Sequence, residues 1–188
     1  MELLIGGMIL WAVVHLFPAF GAPVRGHLIA VMGEKPYKGL FALVMFAALG
    51  MIIAGWRSTM PVELYSPPAW GRELAYLLMS FSIVLFGASH ARTNIKRFVR
   101  HPQLSSVILW SLAHLVANGD SRSLVLFGGM LAWAMLEIPL INRRQGEWTK
   151  PERAPMRSEM IGIAISVVVF LVLIALHPNF AGVSALPF

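Results

Sequence analysis

RHPQLSSVILWSLAHLVANGD, residues Arg100 to Asp120, is the stretch on which the reading of this chain turns. It begins with Arg100-His101-Pro102-Gln103, runs through Trp110 and Ala113-His114, and closes on Asn118-Gly119-Asp120. Proline suits the first turn of a helix, where its missing N–H costs nothing, and Asn-Gly-Asp suits a tight turn. The spacing therefore predicts one helix over Pro102 to Asn118. At about 100° per residue, Gln103, Ser106, Trp110, His114 and Asn118 form a polar stripe with Ser111 beside it. Leu104, Leu109, Leu112 and Leu115 fall on the other side. A helix that is apolar on one side and carries a histidine on the other is suited to holding a cofactor, with His15 approaching from a second helix.

The rest of the chain is more apolar still. Of its 188 residues 57% are hydrophobic and 13% charged, and the mean hydropathy is +0.71. This composition predicts a single all-α domain spanning residues 1–188, a polytopic bundle in the lipid bilayer. The net charge of +6 is not a nucleic-acid signal, because the basic residues lie in loops between apolar segments. With no cysteine there is no disulfide framework, thiolate haem ligand, covalently attached haem or iron–sulfur cluster. No basic region precedes the first apolar stretch, which reads as a membrane helix rather than a cleaved signal.

Six spans are expected, over residues Leu3–Phe20, Gly39–Trp56, Trp70–His90, Pro102–Asn118, Ser121–Ile138 and Glu159–Leu176. Lysine and arginine collect in the first, third and fifth connections, and the tail after His177 has none. The positive-inside rule then puts those connections in the cytoplasm and both termini outside. Trp56 and Trp70 suit an interfacial belt. The fourth span reaches only about 24 Å of a roughly 30 Å core and fits best inside the bundle.

His15 and His114 are ionisable groups within spans, and burying such a group without a role is expensive. The bland alternative is a neutral histidine bonded to a neighbouring helix. With no matching carboxylate in the spans, the pair suits axial iron ligation better than a proton relay. His15 lies roughly 10 Å and His114 roughly 18 Å from the cytoplasmic helix ends, a mismatch that tilt must absorb. His27, His90 and His101 stand beside Arg25, Arg92 and Arg100 at the cytoplasmic surface. These side chains could clamp a propionate or phosphate; ordinary positive-inside topology accounts for any one arginine alone. A metal site there lacks a tight ligand spacing. Glu137 reads as an interfacial acid, His177 as structural, and Gly6-Gly7 and Gly128-Gly129 as points of close helix contact.

The segments Ser89-His90-Ala91-Arg92-Thr93-Asn94-Ile95-Lys96, Arg100-His101-Pro102-Gln103, Trp110-Ser111-Leu112-Ala113-His114 and Asn118-Gly119-Asp120 resemble the NnrU family. His15-Leu16-Phe17-Pro18 and Pro23-Val24-Arg25 extend the resemblance to the first helix. It implies a bacterial inner-membrane protein associated with nitrite and nitric oxide metabolism in denitrification, with nitrogen-oxide reductase components as partners. Its plant and cyanobacterial relatives are 15-cis-zeta-carotene isomerases. That likeness implies haem b (iron) ligated at His15 and His114; Arg25, Arg92, Arg100 and His101, from their place at the cytoplasmic surface, are the candidates to bind the rest of the cofactor. It also brings the alternative of a polyene isomerase with a hydrophobic small-molecule substrate. The plant pattern has a cysteine where this chain has Ser111, so a thiolate ligand switch cannot operate from that residue. A more distant likeness, to isoprenylcysteine carboxyl methyltransferases, rests on the Arg-His-Pro helix start and the later stretch Glu137 to Arg157. It implies S-adenosylmethionine binding as a minor alternative.

Overall fold

The computed structural model describes residues 1–185. Its helices are α1 (Glu2–Phe20), α2 (Ala22–Met32), α3 (Glu34–Ser58), α4 (Gly71–His90), α5 (Pro102–Ala117), α6 (Ser121–Gln145) and α7 (Met156–Ala181). A 3-10 turn occupies Asn94–Arg97. No strand occurs among the described residues; Glu63 and Asp120 form a lone antiparallel bridge. By length and composition α1, α3, α4, α6 and α7 can each cross a membrane, and α5 is the shorter apolar sixth. The protein is thus a multi-pass membrane bundle whose outer faces contact lipid. Along α7, Met160, Ile163, Val168, Leu171 and Leu176 lie on its exposed surface, where in water they would have no partner.

Packing runs α3–α1–α6–α5–α4–α7, each helix lying against the next. α6 separates the α1–α3 pair from the α5–α4 pair. Its Trp133 and Ala134 are buried with Leu104 of α5, and Trp11, Ala12 and Leu16 of α1 complete that cluster. A second cluster joins Leu4 and Met8 to Ile52 of α3. Gly7 admits the Ile52 backbone there, since a Cβ on Gly7 would stand 2.9 Å from Ile52 N. Gly128 has no such close neighbour. It closes a π-helical turn, Leu124–Gly128, within α6.

Several boundaries differ from those expected of the sequence; α3, for one, already begins at Glu34 rather than Gly39. Residues 22–32, expected as loop, form α2. Pro23 starts it, Gly33 at φ 89° ends it, and nothing between breaks a helix. α6 continues through Pro139 to Gln145. Glu137 therefore stands about 12 Å from the helix end and is buried, not interfacial. α7 likewise passes Pro178 to end at Ala181.

The third and fifth connections are joined to each other. Asn94 donates from Nδ2 to Ala154 O at 3.0 Å and accepts from Ala154 N at 2.9 Å. Glu159 accepts from the Thr93 hydroxyl at 2.7 Å and from Asn94 N–H. Arg97 donates to Pro151 O at 2.7 Å and Ser158 to Arg92 O at 2.6 Å. Asn94→Ala removes the two-way amide pair and frees the segment carrying Arg153, whose bond to Ala154 trypsin can cut, whereas Lys150 precedes Pro151 and resists it. Trypsin cleavage there is expected to accelerate on the order of tenfold, as local opening becomes easier. Unchanged cleavage on a gel time course would contradict this clamp.

Candidate functional site

His114 lies in the last turn of α5. Its Nδ1–H donates to Trp110 O at 2.9 Å. A carbonyl can only accept, so the proton is on Nδ1 and Nε2 carries the lone pair. Phe127 lies nearly parallel to the imidazole, at 4.3 Å between ring centres and 21°. Trp110 closes another side at 5.3 Å. The π-helical turn contributes Phe127, so the widened stretch of α6 lies against this histidine; such turns often mark functional positions. One turn before His114, the Ser111 hydroxyl is fully buried without a partner.

His15 occupies a different cage. Its Nδ1–H donates to Trp11 O at 3.0 Å, again leaving Nε2 with the lone pair. Trp11 lies at 4.5 Å, Trp133 at 4.7 Å and Phe41 at 6.0 Å between ring centres. None of these rings touches His114, whose neighbour on α6 is Phe127. Trp133 is six residues further along, or about 9 Å of helix. The indole N–H groups of Trp11 and Trp133 and one Glu137 carboxylate oxygen are buried without partners. Glu137 falls one turn after Trp133, so this carboxyl, read from the sequence as interfacial, lies within the bundle.

The predicted polar stripe divides along α5. Gln103 lines a cleft at the Pro102 end of α5 with Lys96, Arg100, His101 and Trp148. Ser106 meets Ser82 of α4, whose hydroxyl donates to Ser106 O at 2.9 Å. Only Trp110, His114 and Asn118 belong to the far end, where Asn118 donates to His114 O at 2.9 Å.

The structure does not gather the other predicted residues around His114. Arg25 lies on α2 over the Tyr37 ring at 5.9 Å. Exposed Arg92 pairs with Glu152 at 3.6 Å. Arg100 donates to Gly146 O at 2.8 Å. His101 Nε2 and Asn142 Oδ1 are 2.8 Å apart. His101 precedes His114 by thirteen residues, about 20 Å of helix, so Arg100 and His101 form a separate surface.

Three side chains, Arg122, Trp56 and His177, stand near His114 in a way the sequence reading did not foresee. Arg122 caps the same corner, with its guanidinium 4.4 Å from the Trp56 ring and 3.7 Å from Asp120. Trp56 touches Phe127 at 6.0 Å, so it is tied to the site and is not simply an interfacial ring. His177 of α7 has its imidazole 6.4 Å from that of His114, ring centre to ring centre. The sequence put His177 just past the end of the last span and read it as structural; its neighbour was not legible.

The connection between α3 and α4 covers this end. Leu64 N and Tyr65 N donate to Gly119 O at 2.8 and 3.1 Å, and Ser121 N donates to Val62 O at 2.8 Å. The Tyr65 hydroxyl reaches Asn118 O at 2.8 Å and also Leu115 O. Burial, and secondarily the Asp120 carboxylate, push this phenol above its ordinary range and keep it a donor. The last turn of α5 is thereby held from outside.

The fold defines a class, the polytopic membrane helical bundles, and within it His15 and His114 each have one ring nitrogen tied to a carbonyl, the other free, and aromatic rings around them. Among the described residues no group of three or more His, Cys, Asp or Glu gathers as a metal site. The chain belongs to the NnrU family, whose model, described as NnrU protein, matches residues 3–185. No curated protein and no solved structure matches it.

Proposed function

We propose that this protein binds haem b within the bacterial inner membrane and uses it in redox or sensing work tied to nitrite and nitric oxide metabolism. The observation that carries the reading is the state of His114: Nδ1–H held by a backbone carbonyl, Nε2 unbonded, aromatic walls around it. Neutral imidazole with its other nitrogen hydrogen-bonded is the form in which histidine ligates metals. His15 meets the same condition, so the donor set fits a haem with one or two histidine ligands. Bound haem supplies one-electron chemistry at iron. The chain's own part is to hold the His114 tautomer through Trp110, exclude water with Phe127 and Trp110, and offer Arg122 as a partner for a carboxylate. The link to nitrogen-oxide metabolism, and to reductase components as partners, comes from the family.

Absorption spectra of the purified protein, oxidised and reduced, test the reading. A haem b spectrum is expected in wild type, and His114→Ala is expected to lower haem occupancy roughly tenfold or more. Well-folded wild type that takes up no added haemin would overturn it. Addition of zeta-carotene to the reduced protein tests the isomerase alternative, with isomer conversion as its positive result.

The cleft at the Pro102 end of α5 favours a second reading. It encloses about 380 Å³ beside Lys96, Arg100, His101 and Trp148, and its cations suit the carboxylate of S-adenosylmethionine. Calorimetry with S-adenosylmethionine decides it: binding lost in His101→Ala supports a methyltransferase-like role, and no heat in wild type removes it.

A further inference from the structure

We propose that His114 and His177 together form one axial ligand pair, so that the second iron ligand is His177 of α7 and not His15. This rests on the haem reading above and assigns its coordination. The two imidazole planes lie within 23° of each other and their centres are 6.4 Å apart. Two imidazoles bound end-on from opposite sides of one metal, through bonds of about 2.0–2.1 Å, place their centres roughly 6–6.5 Å apart. Direct ring contact is closer: His114 and Phe127 meet at 4.3 Å.

The protonation pattern agrees. His114 Nδ1–H is held by Trp110 O at 2.9 Å, and His177 Nδ1–H by Val183 O at 2.7 Å. Both Nε2 atoms keep their lone pairs, and no hydrogen bond joins the two rings among the described residues. Ligating histidines are oriented by such bonds from the other nitrogen.

The chain does specific work to orient His177. α7 ends at Ala181, and Gly182 turns the backbone at φ 76°, a left-handed conformation that favours glycine. That turn returns the Val183 carbonyl to the imidazole. Tyr76 of α4 donates to Ala185 O and secures the returning segment. Phe180 covers the His177 ring at 5.2 Å. His15, in contrast, has Trp11, Trp133 and Phe41 as its ring neighbours.

The experiment uses the full chain in detergent, loaded with haemin and read by absorption and low-temperature electron paramagnetic resonance. Wild type is expected to be six-coordinate and low-spin. His177→Ala is expected to keep haem but turn high-spin, and added imidazole to restore the low-spin signal. His177→Met, which keeps side-chain bulk, is expected to give a histidine–methionine spectrum with a raised midpoint potential. This second variant separates ligation from a merely structural role. His15→Ala is expected to leave the low-spin signal unchanged. A high-spin wild type, an unchanged His177→Met spectrum, or conversion to high spin in His15→Ala overturns the pairing while leaving haem binding in place. Wild type that takes up no haemin overturns both.

Discussion

Gly119→Ala is expected to dislodge the outer cover of the bundle. A Cβ at this position would lie 1.7 Å from Tyr65 O and 2.8 Å from Tyr65 C. Both are backbone atoms, so no side-chain rotation relieves the clash. The same corner carries the paired bonds from Leu64 N and Tyr65 N to Gly119 O, and the bond from Ser121 N to Val62 O. Moving the chain far enough to admit a methyl group breaks this set. A net hydrogen bond is worth about 0.5–1.5 kcal/mol and overpacking costs about 1–3, so a loss of about 2–4 kcal/mol is expected. The Tyr65 hydroxyl would also leave Leu115 O and Asn118 O, loosening the turn that carries His114. Thermal unfolding in detergent, followed by circular dichroism, measures the effect. Gly26→Ala is the control, because nothing lies within 4 Å of its added Cβ. Equal midpoints for the two variants would contradict the tight docking described above.

Gly55→Ala is expected to drive α3 from α1. The added Cβ would lie 2.3 Å from Leu4 N, 2.6 Å from Leu4 Cα and 2.8 Å from Leu4 Cβ. Membrane helices associate through close packing of small residues, without the hydrophobic drive available in water. Separation therefore sacrifices contact along the whole pair, including the buried Leu4, Met8 and Ile52 cluster. A cost of about 1–3 kcal/mol or more is expected. Gly50→Ala lies on the same helix with nothing within 4 Å of the new methyl, and higher alanine propensity makes it neutral or slightly stabilising. Resistance to unfolding by added sodium dodecyl sulfate compares them. If Gly50→Ala proved the more damaging, the α1–α3 crossing would be wrongly described.

Much of the bundle was legible because each span carries its own signal. Hydropathy over about 20 residues marks a membrane segment, and Pro102 and Gly119 punctuate the short helix between them. His15 and His114 stood out for a similarly local reason, since an ionisable side chain in a span is conspicuous. Helix ends were less legible. Pro139 and Pro178 ordinarily mark a boundary, yet α6 and α7 run through them. Glu137 consequently lies deeper than its position before a proline suggested. The α2 helix was missed because eleven mixed residues carry too weak a periodicity to separate from a loop.

The amino-acid sequence by itself determined that the chain is a helical membrane bundle, which segments span, and which side chains are costly enough in lipid to need a purpose. Tertiary structure alone decided their company. Position along a helix is written in residue number at about 1.5 Å per residue, but the rotation of one helix against another depends on packing with every neighbour. α6 lies between α1 and α5, giving His15 the Trp133 cage and His114 the ring of Phe127. α7 lies along α4, and its returning tail sets His177 at 6.4 Å from His114. Sixty-three residues separate those two histidines in the chain, and no local rule of spacing relates them.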